Sequence, residues 1–306
     1  MSLNSQIVGR PSELVEADFE RLRTIRATDP EAISAALQNR RRRPLIVGDQ
    51  QLLIVAADHP ARGALGVRGE KMAMASRYDM LQRLTLALSR PGVDGVLGTP
   101  DVLEDLAILG VLDDKIAVGS MNRGGLRGAT FEMDDRFTGY GIDSMVQSNL
   151  DFAKLLIRIN LEDAGTARTL EQCARMVTKA AQARLPIMLE PFMSAWIDGQ
   201  IRNNLSTESV ITSIAIASGL GSASAYTWLK LPVVADMERV MEATTLPALL
   251  LGGEPSGRLD ETYSSWEHAL ALPGVHGLVV GRTLLYPEGD DVAGVVDSAS
   301  RLVHGS

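Results

Sequence analysis

The chain has 306 residues, 45% of them hydrophobic, and a formal net charge of −8, which disfavours general nucleic-acid binding because that function usually requires a basic face. Its longest apolar runs have the length of buried strands and fall well short of the roughly 20 residues of a membrane helix, and its single cysteine excludes a disulfide framework or a cysteine-type zinc site. Because the N-terminus lacks a signal-peptide pattern, we expect a cytoplasmic protein that binds neither nucleic acid nor membrane.

Residues 1–47 are predicted to form a helical extension ahead of one barrel domain, residues 48–306. Within the extension, residues 11–13 open a first helix, and Asp29 and Pro30 open a second as its N-cap and first helical residue. We interpret the four arginines at positions 40–43 as the solvated end of that second helix, where positive charge is favourable.

From residue 52 onward, short apolar runs alternate with helical stretches, a pattern typical of parallel βα units. Eight such units favour a closed (β/α)8 barrel over an open doubly wound sheet. No Gly-x-Gly-x-x-Gly loop follows an early strand, so a dinucleotide-binding domain is disfavoured. The predicted strands span residues 52–57, 95–98, 116–119, 152–159, 186–190, 226–231, 248–252 and 277–280.

Lysine is rare in this chain, with five residues against 25 arginines, and only Lys154 and Lys230 lie within apolar strand-like runs. Strand alternation places Lys154 and Arg158 on one face of the fourth predicted strand, and Lys230 on the face of Trp228 in the sixth. A desolvated lysine near another cation loses its proton more easily and becomes a nucleophile toward carbonyl groups. Lys230 is the candidate nucleophile, and Lys154 is a candidate for the cation.

Two carboxylates follow predicted strands at the barrel end where this fold places its chemistry. Asp58 and His59 come directly after the first strand, and Asp58 either orients a substrate hydroxyl or lysine or serves as a turn residue. Glu190 ends the fifth strand before a proline. Burial is expected to raise its pKa toward neutrality, as suits a general acid/base. A salt bridge to a barrel lysine is compatible with that role.

Glycines after the last two predicted strands indicate a phosphate site. Gly252 and Gly253 follow the seventh strand and Gly281 and Arg282 the eighth, where barrels recurrently bind phosphate through backbone N–H groups. Arg282 can add charge-assisted hydrogen bonds. The polar, glycine-rich loop of residues 120–148 lies at the same end of the barrel, and loops of this length are often functional. The four histidines are scattered, which disfavours a catalytic transition metal.

This ordered set of residues, over about residues 48–290, resembles the class I (Schiff-base) aldolases of the DhnA/LacD group, and within it an uncharacterised actinobacterial branch. The resemblance implies that Lys230 forms the Schiff base and that Asp58 holds substrate hydroxyls. It also implies that Lys154 assists and that Glu190 is the acid/base, as glutamate is in the tagatose-bisphosphate branch. The phosphate-binding residues implied in the same way are Gly252, Gly253, Gly281 and Arg282, and we group His59 with them.

Aldolases of this group imply a phosphorylated sugar as substrate, no cofactor beyond the covalent lysine imine, and a homo-oligomer. A fructose or tagatose 1,6-bisphosphate is the leading substrate, and 2-deoxy-5-keto-gluconate 6-phosphate of inositol catabolism is the alternative. Acyl transfer on a phosphorylated diketone would use the same lysine. Two alternatives lie outside this chemistry. One is a non-catalytic sugar-phosphate binding barrel, and the other, less favoured by the sequence, is a metal-dependent barrel lyase.

Overall fold

A computed structural model describes residues 13–47, 50–122, 125–252 and 259–305. None of the helices within these ranges is long and apolar enough to cross a membrane. The strands are β1 Leu52–Ala56, β2 Gly95–Gly98, β3 Ile116–Ser120, β4 Phe152–Ile159, β5 Ile187–Ile197, β6 Gln200–Asn203, β7 Thr227–Pro232, β8 Ala248–Leu251 and β9 Val275–Val280. The helices are α1 Glu16–Thr28, α2 Glu31–Asn39, α3 Arg77–Ser89, α4 Pro100–Ile108, α5 Ile142–Gln147, α6 Gly165–Ala183, α7 Thr207–Ser218, α8 Met237–Glu242, α9 Leu259–Leu270, α10 Arg282–Leu285 and α11 Val292–His304.

Eight of the strands close into a parallel barrel in the order β1-β2-β3-β4-β5-β7-β8-β9, because β9 pairs with β1. Every neighbouring pair around this ring is parallel, and helices surround the barrel. Parallel strands buried on both faces require apolar runs, which is why each strand was visible in the sequence. The predicted (β/α)8 barrel is confirmed.

Alternate residues of the strands point inward and fill the lower barrel with apolar side chains. Trp228 of β7 packs against this cluster and meets Phe152 edge-on, with the ring centroids 5.5 Å apart. The buried side chains of this cluster are at most 1% exposed, so the charged side chains of the strands lie above them, toward the opposite end of the barrel. The buried members of the cluster are Leu52, Ile54, Ala56, Leu97, Ile116, Val118, Phe152, Met188, Leu249 and Val279.

The segment after α2 closes the N-terminal end of the barrel. Arg40 is buried, where it pairs with Asp151 at 2.6 Å, and Arg43 pairs with Asp94. Leu45 and Ile46 then pack against the apolar interior. Our interpretation of the four arginines as a solvated helix end is therefore wrong for Arg40, because acidic residues that precede the strands draw these side chains inward.

The fifth predicted strand extends further than the sequence indicated. We expected it to stop at Glu190, before Pro191, but β5 continues to Ile197 and turns back as the antiparallel strand β6. Pairing between β5 and β7 ends at Leu189, so Pro191 lies where the strand has a neighbour on one side only. Proline is tolerated at such edge positions because its missing N–H interrupts no ladder there.

Candidate active site

Four charged side chains alternate in sign across the upper barrel, and we call them the charged row. Lys230 Nζ lies 3.0 Å from Glu190 Oε1, and Lys154 Nζ lies 2.7 Å from Glu190 Oε2. Lys154 Nζ also donates a hydrogen bond to Asp58 Oδ2 at 3.1 Å. The structure therefore brings together all four residues that the sequence proposed as catalytic.

Strand register explains why these residues meet. Lys154 stands two residues above Phe152, and Lys230 two above Trp228, so each lysine follows an inward apolar residue on its own strand. Glu190 pairs in register with Leu156 of β4, beside Lys154. The apolar layer lies directly beneath, and both lysines and Glu190 are at most 6% exposed. Charges this deeply buried persist only in a compensated set.

The two lysines respond to this environment in opposite directions. Burial lowers the pKa of Lys230, and the neighbouring Lys154 ammonium lowers it further, which outweighs Glu190 and Asp58. Burial also disfavours the charged form of Lys154, but Asp58 and Glu190 together raise its pKa above the ordinary lysine value. The site thus holds one fixed cation and one lysine that is predisposed to be a neutral nucleophile.

Our expectation that the pKa of Glu190 is raised is wrong. Burial does act in that direction, but the ammonium groups of Lys154 and Lys230 prevail and lower the pKa of Glu190 to about 2. Burial of Asp58 is outweighed in the same way by Lys154, which holds the pKa of that carboxyl below its usual range. Both side chains are therefore carboxylates at neutral pH, able to accept protons or hydrogen bonds.

Two polar residues that the sequence reasoning missed support the charged row. Ser120 Oγ lies 3.0 Å from Asp58 Oδ2, which it holds by donating a hydrogen bond. Asn122 bonds both backbone groups of Leu156 and donates to Asp135 at 2.8 Å, which fastens the long loop to β4. Ser120 ends β3 on the inward face, so strand alternation could have found it, whereas nothing in the sequence pairs Asn122 with β4.

Gly281 and His59 meet where β9 lies beside β1. A Cβ on Gly281 would come within 2.7 Å of both the Ala56 carbonyl oxygen and the His59 ring, so this close approach requires glycine. Burial lowers the pKa of His59 to about 3, with contributions from Arg62 and Arg282, so the ring is neutral at physiological pH. A neutral imidazole can still donate or accept a hydrogen bond.

The proposed phosphate-binding residues lie at the same barrel end. Arg282 is buried at the start of α10, directly after Gly281. Gly252 follows β8, and a Cβ there would approach Val280 to 2.5 Å. Gly253, the other predicted glycine, lies outside the described residues. That these residues bind phosphate stays a prediction.

The barrel is closed and parallel, and two of its buried lysines share one carboxylate. The chain is therefore a (β/α)8-barrel protein with a candidate lysine-based active site. The chain belongs to the Cgl0159-like family, whose model matches residues 50–300. Cgl0159 from Corynebacterium glutamicum has a similar structure, with 63% sequence identity, a TM-score of 0.94, and coverage of 96% of this chain and 99% of that one.

Two more distant structures that match the chain are those of aldolases. An archaeal fructose-1,6-bisphosphate aldolase, whose catalytic lysine is covalently bound to the carbinolamine intermediate of its substrate, matches with a TM-score of 0.62 and 17% identity over 89% of this chain and 99% of that one. A fructose-bisphosphate aldolase from Slackia heliotrinireducens matches with a TM-score of 0.63 and 12% identity over 100% and 92%. No curated protein matches the chain. At these identities the likeness shows the fold alone, and the DhnA/LacD subgroup stays a prediction.

Proposed function

We propose that this protein is a class I aldolase, a lyase that cleaves a phosphorylated ketose through a Schiff base on Lys230. The observation that carries the proposal is a buried lysine of lowered pKa that touches a buried carboxylate, Glu190, at 3.0 Å. A nucleophilic amine and a base that face one another in a buried position are what imine chemistry requires. The structural likeness to aldolases is consistent with this choice.

The first half of the reaction forms the imine. Neutral Lys230 attacks the ketone carbon, and the resulting carbinolamine takes up one proton from solvent and loses water to give an iminium cation. Lys154 remains an ammonium, because Asp58 and Glu190 hold it charged, and it disfavours the competing protonated form of Lys230. No cofactor enters this step, because the iminium itself acts as the electron sink.

The second half of the reaction breaks the carbon–carbon bond. Glu190 accepts the proton of the hydroxyl on the carbon beyond that bond, the carbonyl of an aldehyde forms, and the bonding electrons pass into the iminium to give an enamine. Glu190 then returns the proton to the enamine carbon, and water hydrolyses the imine. Asp58, held by Ser120 and Lys154, is placed to orient a substrate hydroxyl.

The phosphate next to the ketone is assigned to the glycine-bearing end of β8 and β9. Gly252, Gly281 and Arg282 supply backbone N–H groups and a guanidinium there, with His59 as a neutral neighbour and Gly253 next in the chain. A fructose or tagatose 1,6-bisphosphate is the substrate type we propose, with the phosphate at C1 in this position.

Reductive trapping tests the proposal. Borohydride added with dihydroxyacetone phosphate or fructose 1,6-bisphosphate is expected to attach a reduced ketose phosphate to the peptide that contains Lys230, with a mass gain equal to that of the bound ketose less one oxygen atom. Activity is expected to survive EDTA. Lys230→Met removes the adduct, whereas the matched control Lys179→Met, at an exposed position of helix α6, retains it. An adduct on another lysine, or none with any ketose phosphate, overturns the proposal.

A further inference from the structure

Three neighbouring strands of the barrel, β4, β5 and β7, repeat one pattern on their inward faces. Along each strand an apolar residue is followed two positions later by a charged residue and, after two more positions, by another apolar residue. Because alternate residues of a strand share a face, all of these side chains belong to the inward face. Lys154, Glu190 and Lys230 therefore lie between the apolar cluster below them and a second apolar layer above them. This upper layer consists of Leu156, Phe192 and Pro232.

The upper layer is separate from the core that surrounds the barrel. Leu156 is 6% and Phe192 is 5% exposed, and Pro232 is buried as well. The outward neighbours Leu155 and Leu189 pack in the core between the strands and the helices. Leu156 and Phe192 belong neither to that core nor to the cluster at the bottom of the barrel. Their burial is therefore explained by their position directly above the charged row.

Leu156 is held beside Glu190 by the side chain of Asn122. Leu156 pairs in register with Glu190, but on its other side the pairing between β3 and β4 ends at Ser120 and Lys154. Asn122 takes the place of the missing strand there. Its side-chain oxygen accepts the N–H of Leu156 at 2.8 Å, and its amide nitrogen donates to the carbonyl of Leu156 at 2.7 Å. The upper layer is thus fixed to the barrel at the point where β3 has already ended.

The charged row is buried although the C-terminal end of a barrel opens toward solvent. Lys230 is only 5% and Glu190 only 6% exposed. Contact with water favours the ammonium form of a lysine, and removal of water favours the neutral amine. Burial is the largest influence on the pKa of Lys230, and it acts in that direction. Lys154 shares the same surroundings and stays charged, because two carboxylates contact it. Exclusion of water therefore acts selectively on Lys230.

We propose that Leu156, Phe192 and Pro232 are positioning residues that exclude water from Lys230 and so keep its amine neutral and ready to attack a carbonyl group. They act through Lys230 and take no part in the bond changes themselves. The inference rests on the proposed function for the use that is made of the amine, but not for the protonation state of the amine. That state can be measured without any ketose.

Trace labelling with acetic anhydride measures it, because only the neutral form of an amine is acetylated. The pH at which acetylation of the Lys230 peptide reaches half its plateau is the midpoint to compare, with exposed Lys179 as the internal standard. Phe192→Ala and Leu156→Ala are each expected to raise this midpoint by about one pH unit, since water gains access to the ammonium form. Phe192→Leu, which keeps an apolar cover, is expected to raise it much less.

Phe131→Ala is the matched control. It removes the phenyl ring of a residue that is 62% exposed on the loop after β3, and it is expected to leave the Lys230 midpoint unchanged. A cooperative urea transition shows which variants are folded, and Leu156→Ala decides if Phe192→Ala is not. A general structural role would lower the urea midpoint without moving the acetylation midpoint, and that result in the folded variants overturns the inference.

The borohydride adduct with dihydroxyacetone phosphate separates this inference from the proposed function. If the acetylation midpoint rises in the variants but no adduct forms on wild-type Lys230, the apolar cover stands and the Schiff base fails. If the adduct forms and the variants move neither the acetylation midpoint nor the pH dependence of the adduct, the Schiff base stands and the cover fails. A wild-type Lys230 that is acetylated at no pH overturns both, because an amine that reaches a ketose also reaches this small reagent.

Discussion

Replacing Lys154 with methionine removes the central cation of the charged row while it keeps most of the volume of the side chain. Lys154 touches Asp58 at 3.1 Å and Glu190 at 2.7 Å, and its side chain is 4% exposed. Removing one partner of a buried ion pair typically costs about 3–5 kcal/mol, because the other charge is left uncompensated. Asp58 loses its nearest cation and keeps the hydrogen bond from Ser120, whereas Glu190 keeps Lys230 at 3.0 Å. We therefore expect Lys154→Met to lose stability within this range.

Urea unfolding followed by tryptophan fluorescence measures this loss of stability. A double-mutant cycle tests whether the loss comes from the uncompensated charge of Asp58. Adding Asp58→Asn to Lys154→Met removes the orphaned charge, so the double variant is expected to be more stable than the two single losses predict, by roughly 1–3 kcal/mol. Lys154→Met also raises the pKa of Lys230, so its adduct should form at higher pH than in the wild type. Additive losses, or an adduct that forms at unchanged or lower pH, would refute the reasoning.

Two further substitutions test other parts of the structure. Gly281→Ala places a Cβ 2.7 Å from the Ala56 carbonyl oxygen, so it should destabilise the protein by about 1–3 kcal/mol in urea unfolding. The pKa of His304 is raised, chiefly by its hydrogen bond to Asp94. The stability that charged His304 contributes is therefore fully present below the ordinary pKa of 6.5, and it is lost as pH rises through the higher folded-state pKa. His304→Ala should thus lower the urea midpoint more in acidic than in alkaline buffer.

Each of these two predictions has a clear contrary result. Gly141→Ala is the control for Gly281→Ala, because a Cβ at Gly141 meets only Ser144 Oγ, at 3.9 Å. An equal loss of stability in both variants would show that the crowding at Gly281 relaxes without cost. For the second, a His304→Ala loss that stays constant with pH would show that the contact is one of packing rather than of charge.

The barrel itself was readable from the sequence because strands buried on both faces leave continuous apolar runs. The hairpin of β5 and β6 was not readable, because a proline normally ends a strand. Pro191 is tolerated only because β5 no longer pairs with β7 beyond Leu189. Arg40 was likewise misjudged. A basic run after a helix has the composition of a solvated surface, and only the fold brings Asp151 to it.

The charged row was predictable residue by residue, but its electrostatics were not. Lys154, Glu190 and Lys230 stand out as charges in apolar strands, whereas the pKa of Glu190 depends on two ammonium groups that come from strands far apart in the sequence. Ser120 and Arg158 follow from strand alternation once the barrel is known. Arg62 ends a short 3-10 helix after β1, and sequence spacing carries no information on where its side chain points.

The alternation of charge along the charged row also bears on how the charge of the covalent intermediate is balanced. With Lys230 as an ammonium the four groups sum to zero charge, and with the neutral amine they carry one unbalanced negative charge, shared by Glu190 and Asp58. A protonated imine on Lys230 restores the balance without displacing any other group. Under the proposed mechanism the resting protein therefore already holds the counter-ion of its own intermediate, in the form of Glu190, and no solvent has to reorganise when that cation forms.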